Sequence, residues 1–258
     1  MNKPSIQFDE HGRLIPLGLT CKANLESRRY FKVNKTASTL DEIYDRTISY
    51  LGPCDDLCLT NFKTKVAELL AFLDADEILR PLIQSAPVPF ILPKGTISMD
   101  VRMSMSPYLA AVAQSFQEKF PDARFTDHSI QKWKDEFSVA PESRAQSFLV
   151  RCQDESVVGL FMPALSEFSV PAAYEAIERM PDRLSLAGVF ELAGILVGTP
   201  QYLVNESAYS PLLWATSNIN KSSPNGFHFA SYGRDMTFNC RPHLNEVSEY
   251  WVNGLVVS

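Results

Sequence analysis

The chain has 258 residues, of which 45% are hydrophobic and 21% charged, as in ordinary globular proteins. Its net charge of −6 argues against a dedicated nucleic-acid-binding protein, because such proteins normally carry a basic footprint. We find neither an apolar signal-peptide segment near the start nor a run long enough to span a bilayer, so we expect a soluble, cytoplasmic protein with no membrane contact.

The five cysteines do not form a disulfide framework, since their number is odd and their spacing irregular. In a reducing compartment we expect free thiols packed as small apolar groups. The glycine-rich nucleotide-binding loops, the hydrolase nucleophile elbow and the paired-histidine zinc motif are all missing from the sequence. The sequence therefore predicts no cofactor and no resident metal.

The first predicted layer is helical. Thr39 and Glu42 form a capping box, which predicts a helix over residues 40–51. Apolar residues at helical spacing predict a second helix over residues 61–72. Asp74 then resembles the cap of a third, short helix.

A proline-rich stretch follows this layer. Residues 87–93 contain three prolines in seven positions, which predicts either an edge strand or an extended linker. We place a candidate boundary here, between a mainly helical region over residues 1–86 and an α+β domain over residues 87–258. One continuous domain is the alternative.

Five further elements are predicted from local pattern. Residues 96–103 resemble a strand, and residues 106–120 a helix with proline at its first helical position. A helix is expected over residues 129–137. Continuous apolar runs at residues 147–152 and 156–162 predict a hairpin buried on both faces.

The most apolar stretch of the chain predicts a buried helix over residues 186–197. Ser185 suits the position that caps its start, and Gly198 suits the position just beyond its end. Apolar residues surround nearly the whole helix, so other elements must cover it. We interpret Glu191, its one charged residue, as lying at a wet edge; the alternative is a buried acid with a raised pKa.

The C-terminal third predicts more sheet. Residues 212–216 resemble a strand, and residues 227–231 and 235–239 flank a short turn as a hairpin. A helix is predicted over residues 243–250. The last strand, residues 255–257, is expected to insert into a sheet. The fold class is therefore α+β: a helical N-terminal layer, then a mixed, mostly antiparallel sheet packed against the buried helix.

Three residues near the C-terminus form the strongest candidate for chemistry. His228, Cys240 and His243 could supply a nucleophile and a base, or three ligands of a catalytic zinc ion. Ordinary packing in a sheet is the competing explanation, and we favour it because no fourth ligand and no family motif accompany them.

Two surface features suggest binding. Tyr232, Arg234 and Asp235 lie at the predicted hairpin tip, where they suit either recognition or simple solvation. A basic and aromatic segment that includes Arg28 and Arg29 could contact nucleic acid, but the acidic total makes nucleic acid the weaker explanation. The third basic residue of this candidate is Lys32.

The sequence does not by itself define a function. Signals for an apolar core are abundant and catalytic constellations are few, so we predict a binding or regulatory protein without a catalytic centre. Its expected partner is another protein or a second copy of itself. The alternative is a hydrolase or metal-dependent enzyme that uses the C-terminal cysteine and histidines.

Overall fold

The computed structural model describes residues 6–28, 38–130, 132–133, 137–139, 143–204, 210–220 and 225–258. Within them, six complete α-helices, α1 to α6, span Leu40–Tyr50, Leu59–Ala75, Arg102–Lys119, Arg144–Asp154, Val170–Ile177 and Val189–Gly198. A 3-10 helix spans Arg80–Ser85. The strands described, β1 to β10, are Val88–Leu92, Phe125–Asp127, Phe137–Val139, Val157–Ser166, Leu184–Leu186, Leu212–Trp214, Asn218–Asn220, Gly226–Tyr232, Asp235–Arg241 and Trp251–Val257.

Eight of the described strands form one mixed, mostly antiparallel sheet in the order β1-β4-β10-β6-β8-β9-β2, with β5 paired to β10 as well. The parallel pairs are β10 with β6 and β9 with β2. Strands β3 and β7 form a separate pair. The predicted α+β class is confirmed, and so is the insertion of the last strand, because β10 lies between β4 and the strands β5 and β6.

The helix α6 is the most enclosed element. All ten of its residues are buried, as its apolar sequence predicts. It packs against α1, α3 and β1. It begins three residues later than predicted because the segment that contains Ser185 extends as β5, where Ser185 pairs with Val256 of β10. Gly188 caps the helix in place of Ser185.

Helices cover both faces of the sheet. Alternation along β4 sends Phe161 to the core beneath α3 and α6, and Leu160 to the core beneath α2, the 3-10 helix and α5. The N-terminal helices thus share an apolar core with strands that follow residue 87. The domain boundary at residue 87 stays a prediction.

Several local predictions are confirmed. The Thr39 hydroxyl accepts the Glu42 N–H at 3.2 Å, and the Glu42 carboxylate accepts the Thr39 N–H at 2.6 Å, which closes the capping box at the start of α1. The proline-rich stretch contains β1, an edge strand and not a linker. Strands β8 and β9 pair around a two-residue turn in which Gly233 adopts a φ of 65°, a conformation that favours glycine.

The predicted hairpin at residues 147–162 is wrong in its first half. Residues 144–154 form the helix α4, and only the second run extends as β4. Ser143 caps α4 by accepting the Gln146 N–H. The buried residues of the helix recur at helical spacing, which the continuous apolar run conceals: Ala145, Phe148, Leu149 and Cys152.

Three predicted elements between residues 96 and 137 are also corrected. Residues 96–101 form turns and not a strand, and α3 begins at Arg102, with Pro107 inside it. Tertiary contacts stabilise this early start, because Met105 is buried in the core and the Ser104 hydroxyl accepts the Ser98 N–H at 2.7 Å. Of the predicted helix at residues 129–137, Ile130, Lys132 and Trp133 are helical, Phe137 belongs to β3, and residues 131 and 134–136 lie outside the described part.

The helix predicted over residues 243–250 does not form. The chain here connects β9 to β10, which are separated in the sheet by β8 and β6. His243 adopts a φ of 76°, which is incompatible with a right-handed helix. The segment therefore forms turns. No described helix combines the length and the apolar character needed to cross a membrane.

We predict that Phe190→Ala in α6 lowers the free energy of unfolding by about 3–5 kcal/mol, because it leaves a cavity in a fully packed core. The Phe190 ring lies 5.0 Å from the Tyr108 ring and 6.4 Å from the Phe137 ring. Urea unfolding followed by circular dichroism measures the change. The control is Val150→Ala on the exposed side of α4, with an expected change within about 0.5 kcal/mol. A loss below 1 kcal/mol for Phe190→Ala would contradict the central place of α6.

Candidate ligand-binding site

Of the three C-terminal candidates His228, Cys240 and His243, the sheet separates the first two. Cys240 in β9 pairs with Phe227 in β8, so Cys240 and His228 face opposite sides. His243 lies in an exposed turn beyond β9. The described residues contain no group of three or more His, Cys, Asp or Glu side chains placed to hold a metal ion. Strand pairing thus places His228 and Cys240 on opposite faces, while a role for Cys240 and His243 stays a prediction.

His228 is a buried, neutral packing residue. Its ring lies 5.2 Å from the Trp214 ring, and neither ring nitrogen has a hydrogen-bond partner within the described structure. Burial lowers the pKa of His228 to about 3, and the nearby positive charge of Arg241 adds to the shift. An imidazole with so low a pKa is a poor general base at neutral pH.

The predicted binding residues of the hairpin tip lie where the sequence places them. Tyr232 is 60% exposed, and Arg234 and Asp235 are exposed beside it. The Asp235 carboxylate accepts the Arg124 N–H at 2.8 Å, so it fixes the segment that leads into β2. A recognition role for the tip stays a prediction.

The basic segment near residue 28 is only partly described. Lys22 forms an ion pair with Glu246 at 2.6 Å, and Arg28 forms one with Glu249 at 3.9 Å. These acids offset the positive charge that a phosphate backbone would need. Arg29 and Lys32 lie outside the described residues.

A pocket that sequence analysis missed lies beside α5. Its volume is about 520 Å³, and residues from 20–21, 170–178, 214–220 and 225–226 line it, together with Leu244. Its walls therefore come from widely separated parts of the chain. The run of polar residues near residue 216 is the only hint in the sequence, and loops carry such residues for many reasons.

The helix α5 forms one wall and holds its neighbours in place. The Ser169 hydroxyl caps α5 by accepting the Ala172 N–H at 3.2 Å. The Tyr174 hydroxyl donates to the Thr216 carbonyl at 2.7 Å. The Glu175 carboxylate accepts the Thr20 N–H at 2.8 Å and the Thr20 hydroxyl at 3.0 Å. These bonds fix three walls relative to one another.

The opposite wall is anchored in the core. The Asn218 Oδ1 accepts the Val189 N–H at 2.7 Å, so a residue that lines the pocket also caps α6. The Thr216 hydroxyl donates to the Asn253 Oδ1 at 2.7 Å, and the Asn253 amide donates to the Phe168 carbonyl at 2.8 Å. Asn253 is fully buried in β10. The wall is thus fixed to the central strand as well as to α6.

The inner end of the pocket is apolar. Trp214 is buried against Trp251, with ring centroids 5.3 Å apart, and its indole N–H has no hydrogen-bond partner within the described structure. A β-carbon at Gly226 would lie 2.8 Å from the Trp214 ring and 2.6 Å from Leu244. Glycine at this position therefore permits the close approach of strand, indole and turn.

Buried charged groups tie the N-terminal segment to the sheet. The Arg13 guanidinium donates to the Ser166 carbonyl at 3.0 Å and to the Asn24 carbonyl at 2.5 Å. Glu167 accepts the Asn24 amide at 2.6 Å and the Ser27 hydroxyl at 2.8 Å. Because an unpaired buried charge is costly, these contacts hold the segment that contributes residues 20–21 to the pocket.

Glu191 is buried, so its interpretation as a wet-edge residue is wrong and the alternative is correct. Its side chain is enclosed at the start of α6, where a carboxylate oxygen accepts the Gly188 N–H at 3.1 Å. Burial raises the pKa of Glu191 to about 7. The residue serves the helix start and does not line the pocket.

The sequence matches no protein-family model, no curated protein and no solved structure. The function is therefore argued from the pocket itself.

We predict that His228 makes the protein less stable in acid. The pKa is about 3 in the folded protein against an ordinary value of 6.5, so below pH 6.5 the unfolded chain gains a proton that the folded protein does not. The free energy of unfolding falls as the pH falls, by up to about 1.4 kcal/mol per pH unit. His228→Leu removes this slope in urea unfolding at pH 4 to 7, whereas His128→Gln, at an exposed position, keeps it. Equal slopes in wild type and His228→Leu would contradict the assignment.

The raised pKa of Glu191 acts in the opposite direction. The folded protein holds its proton up to about pH 7, while the unfolded chain releases it near pH 4.5. The contribution of Glu191 to the free energy of unfolding therefore falls as the pH rises from 4.5 to 7, by an amount on the order of 1–3 kcal/mol, and it opposes the contribution of His228 over this range. Glu191→Gln retains an acceptor for Gly188 and removes this loss. A stability difference between the two proteins that is constant from pH 4 to 8 would rule the assignment out.

Proposed function

We propose that the protein binds a small molecule in the pocket beside α5 and has no catalytic centre of its own. The observation that carries the proposal is a pocket of about 520 Å³ whose walls are fixed by hydrogen bonds from α5, α6 and β10. Ligand sites typically occupy roughly 300–1,000 Å³ and are largely formed before the ligand arrives.

The chemistry of the lining supports a ligand with an apolar body and a few hydrogen-bonding groups. Trp214, Val170 and Leu244 supply the apolar part. The side-chain amides and hydroxyls of the lining, Asn218 and Thr216 among them, lie along the polar part. A mostly apolar cavity with a small number of placed polar groups is typical of small-molecule sites.

The enzyme alternative loses its structural support. It required His228, Cys240 and His243 to converge, and strand pairing puts His228 and Cys240 on opposite faces of the sheet. The expected protein partner or self-association stays a prediction. Its clearest physical support is a pair of exposed methionines, Met99 in the bend before α3 and Met103 in the first turn of that helix.

We predict that an apolar aromatic alcohol, 1-naphthalenemethanol, enters the pocket and shields Cys21. Cys21 lines the pocket and is partly exposed, while Cys58 is exposed at the start of α2 and serves as the internal control. Alkylation by iodoacetamide, followed by mass spectrometry, should slow at Cys21 several-fold when the alcohol is present at up to millimolar concentration. The rate at Cys58 should not change.

A pocket-filling variant tests the location. Ile219→Trp places a large ring in the lining, and Ile130→Trp makes the same change at an exposed site elsewhere. We expect protection of Cys21 by the alcohol to disappear in the first variant and to persist in the second. The proposal fails if the alcohol never protects Cys21, or if it protects Cys21 equally in both variants.

A further inference from the structure

We propose that the ligand of this pocket is an organic cation whose charged group pairs with Glu178. This inference rests on the proposed function, because it names the chemistry of the molecule that the same pocket takes. Three features of the described structure support it: the sign of the charges in the lining, the end of α5 at which Glu178 lies, and a second cavity that Glu178 also borders.

The charged residues among the described lining are both acidic, Glu175 and Glu178. Glu175 is already neutralised, because the Arg179 guanidinium lies 2.8 Å from its carboxylate and Thr20 donates to it as well. Glu178 is exposed and forms no ion pair with any described residue. Among the described lining residues, Glu178 is therefore the one uncompensated charge.

The position of Glu178 strengthens the preference for a cation. It follows directly after α5, where the last backbone carbonyls of a helix concentrate negative potential. Tyr174 lies one turn earlier and lines the same pocket. An aromatic ring beside a carboxylate is a favourable environment for an ammonium group, since the ring face also attracts cations.

A second cavity of about 280 Å³ borders the first and shares Tyr174 and Glu178 with it. Arg144 lines this smaller cavity, where it donates to the Met180 and Leu184 carbonyls. Asp182, whose carboxylate lies 3.0 Å from the Arg144 guanidinium, offsets part of this positive charge. The described lining of the larger cavity contains no basic side chain at all, so a cation is favoured there. The charged group of the ligand therefore lies on the side of the larger cavity, with the apolar body directed towards Trp214.

Three matched naphthalene compounds test the inference. These are 1-naphthylmethylamine, which is a cation at neutral pH, the neutral 1-naphthalenemethanol, and the anion 1-naphthoate. At low ionic strength we expect the amine to bind about fivefold more tightly than the alcohol, the upper range for a partly exposed ion pair, and the anion to bind least. The preference should shrink as salt is added, because salt screens exposed charges. Protection of Cys21 from iodoacetamide measures each affinity.

Two charge-neutralising variants distinguish the effect of the Glu178 charge from the effect of the protein's overall charge. Glu178→Gln should make the amine and the alcohol bind equally, while Glu68→Gln, an identical change on the exposed face of α2, should leave the preference intact. If the alcohol binds but the amine binds no more tightly, or if Glu178→Gln keeps the preference, the inference is overturned and the proposed function stands. If none of the three compounds protects Cys21, both fail.

Discussion

The structure depends on the complete enclosure of α6. Its residues are apolar on nearly every side, with Glu191 the exception, so each face must contact another element and not water. The close approaches are visible at its glycines: a β-carbon at Gly198 would lie 2.9 Å from Ile43, and one at Gly194 would lie 3.3 Å from the Ile91 carbonyl. Helices α1 and α3 and strand β1 all pack around α6 as a result.

The start of α6 connects this core to the pocket. A buried helix start exposes backbone N–H groups that must find acceptors. Glu191 supplies one acceptor from within the helix, and Asn218 supplies another from the chain that follows β6. Because Asn218 also lines the pocket, that wall cannot move without removing a cap from a buried helix. The packed core at the start of α6 therefore holds this wall of the pocket in place.

The sheet decides which polar residues can act together. Strand alternation separates His228 from Cys240, although they lie almost opposite one another on paired strands. It also places Trp214 and His228 on one face, where they pack as neighbours. The pocket is assembled in the same way, from α5, the N-terminal segment and the residues after β6. Polar groups that are remote in sequence become neighbours there, while groups that are close in sequence do not.

The sequence by itself determined those features that depend on interactions between near neighbours. The capping box of Thr39 and Glu42, the hairpin turned at Gly233 and the buried character of residues 189–198 all follow from local hydrogen bonding, backbone preference or apolar content. It also indicated the α+β class. Tertiary structure decided the conformation where two local patterns compete, as at residues 144–154, which read equally as a buried strand and as a helix. It also decided the path of residues 243–250, where His243 adopts a φ of 76° and the chain turns between β9 and β10. The pocket is also decided by tertiary structure, because its walls meet only after the sheet and its helices have packed. No local sequence pattern encodes the contact of segments some 150–200 residues apart.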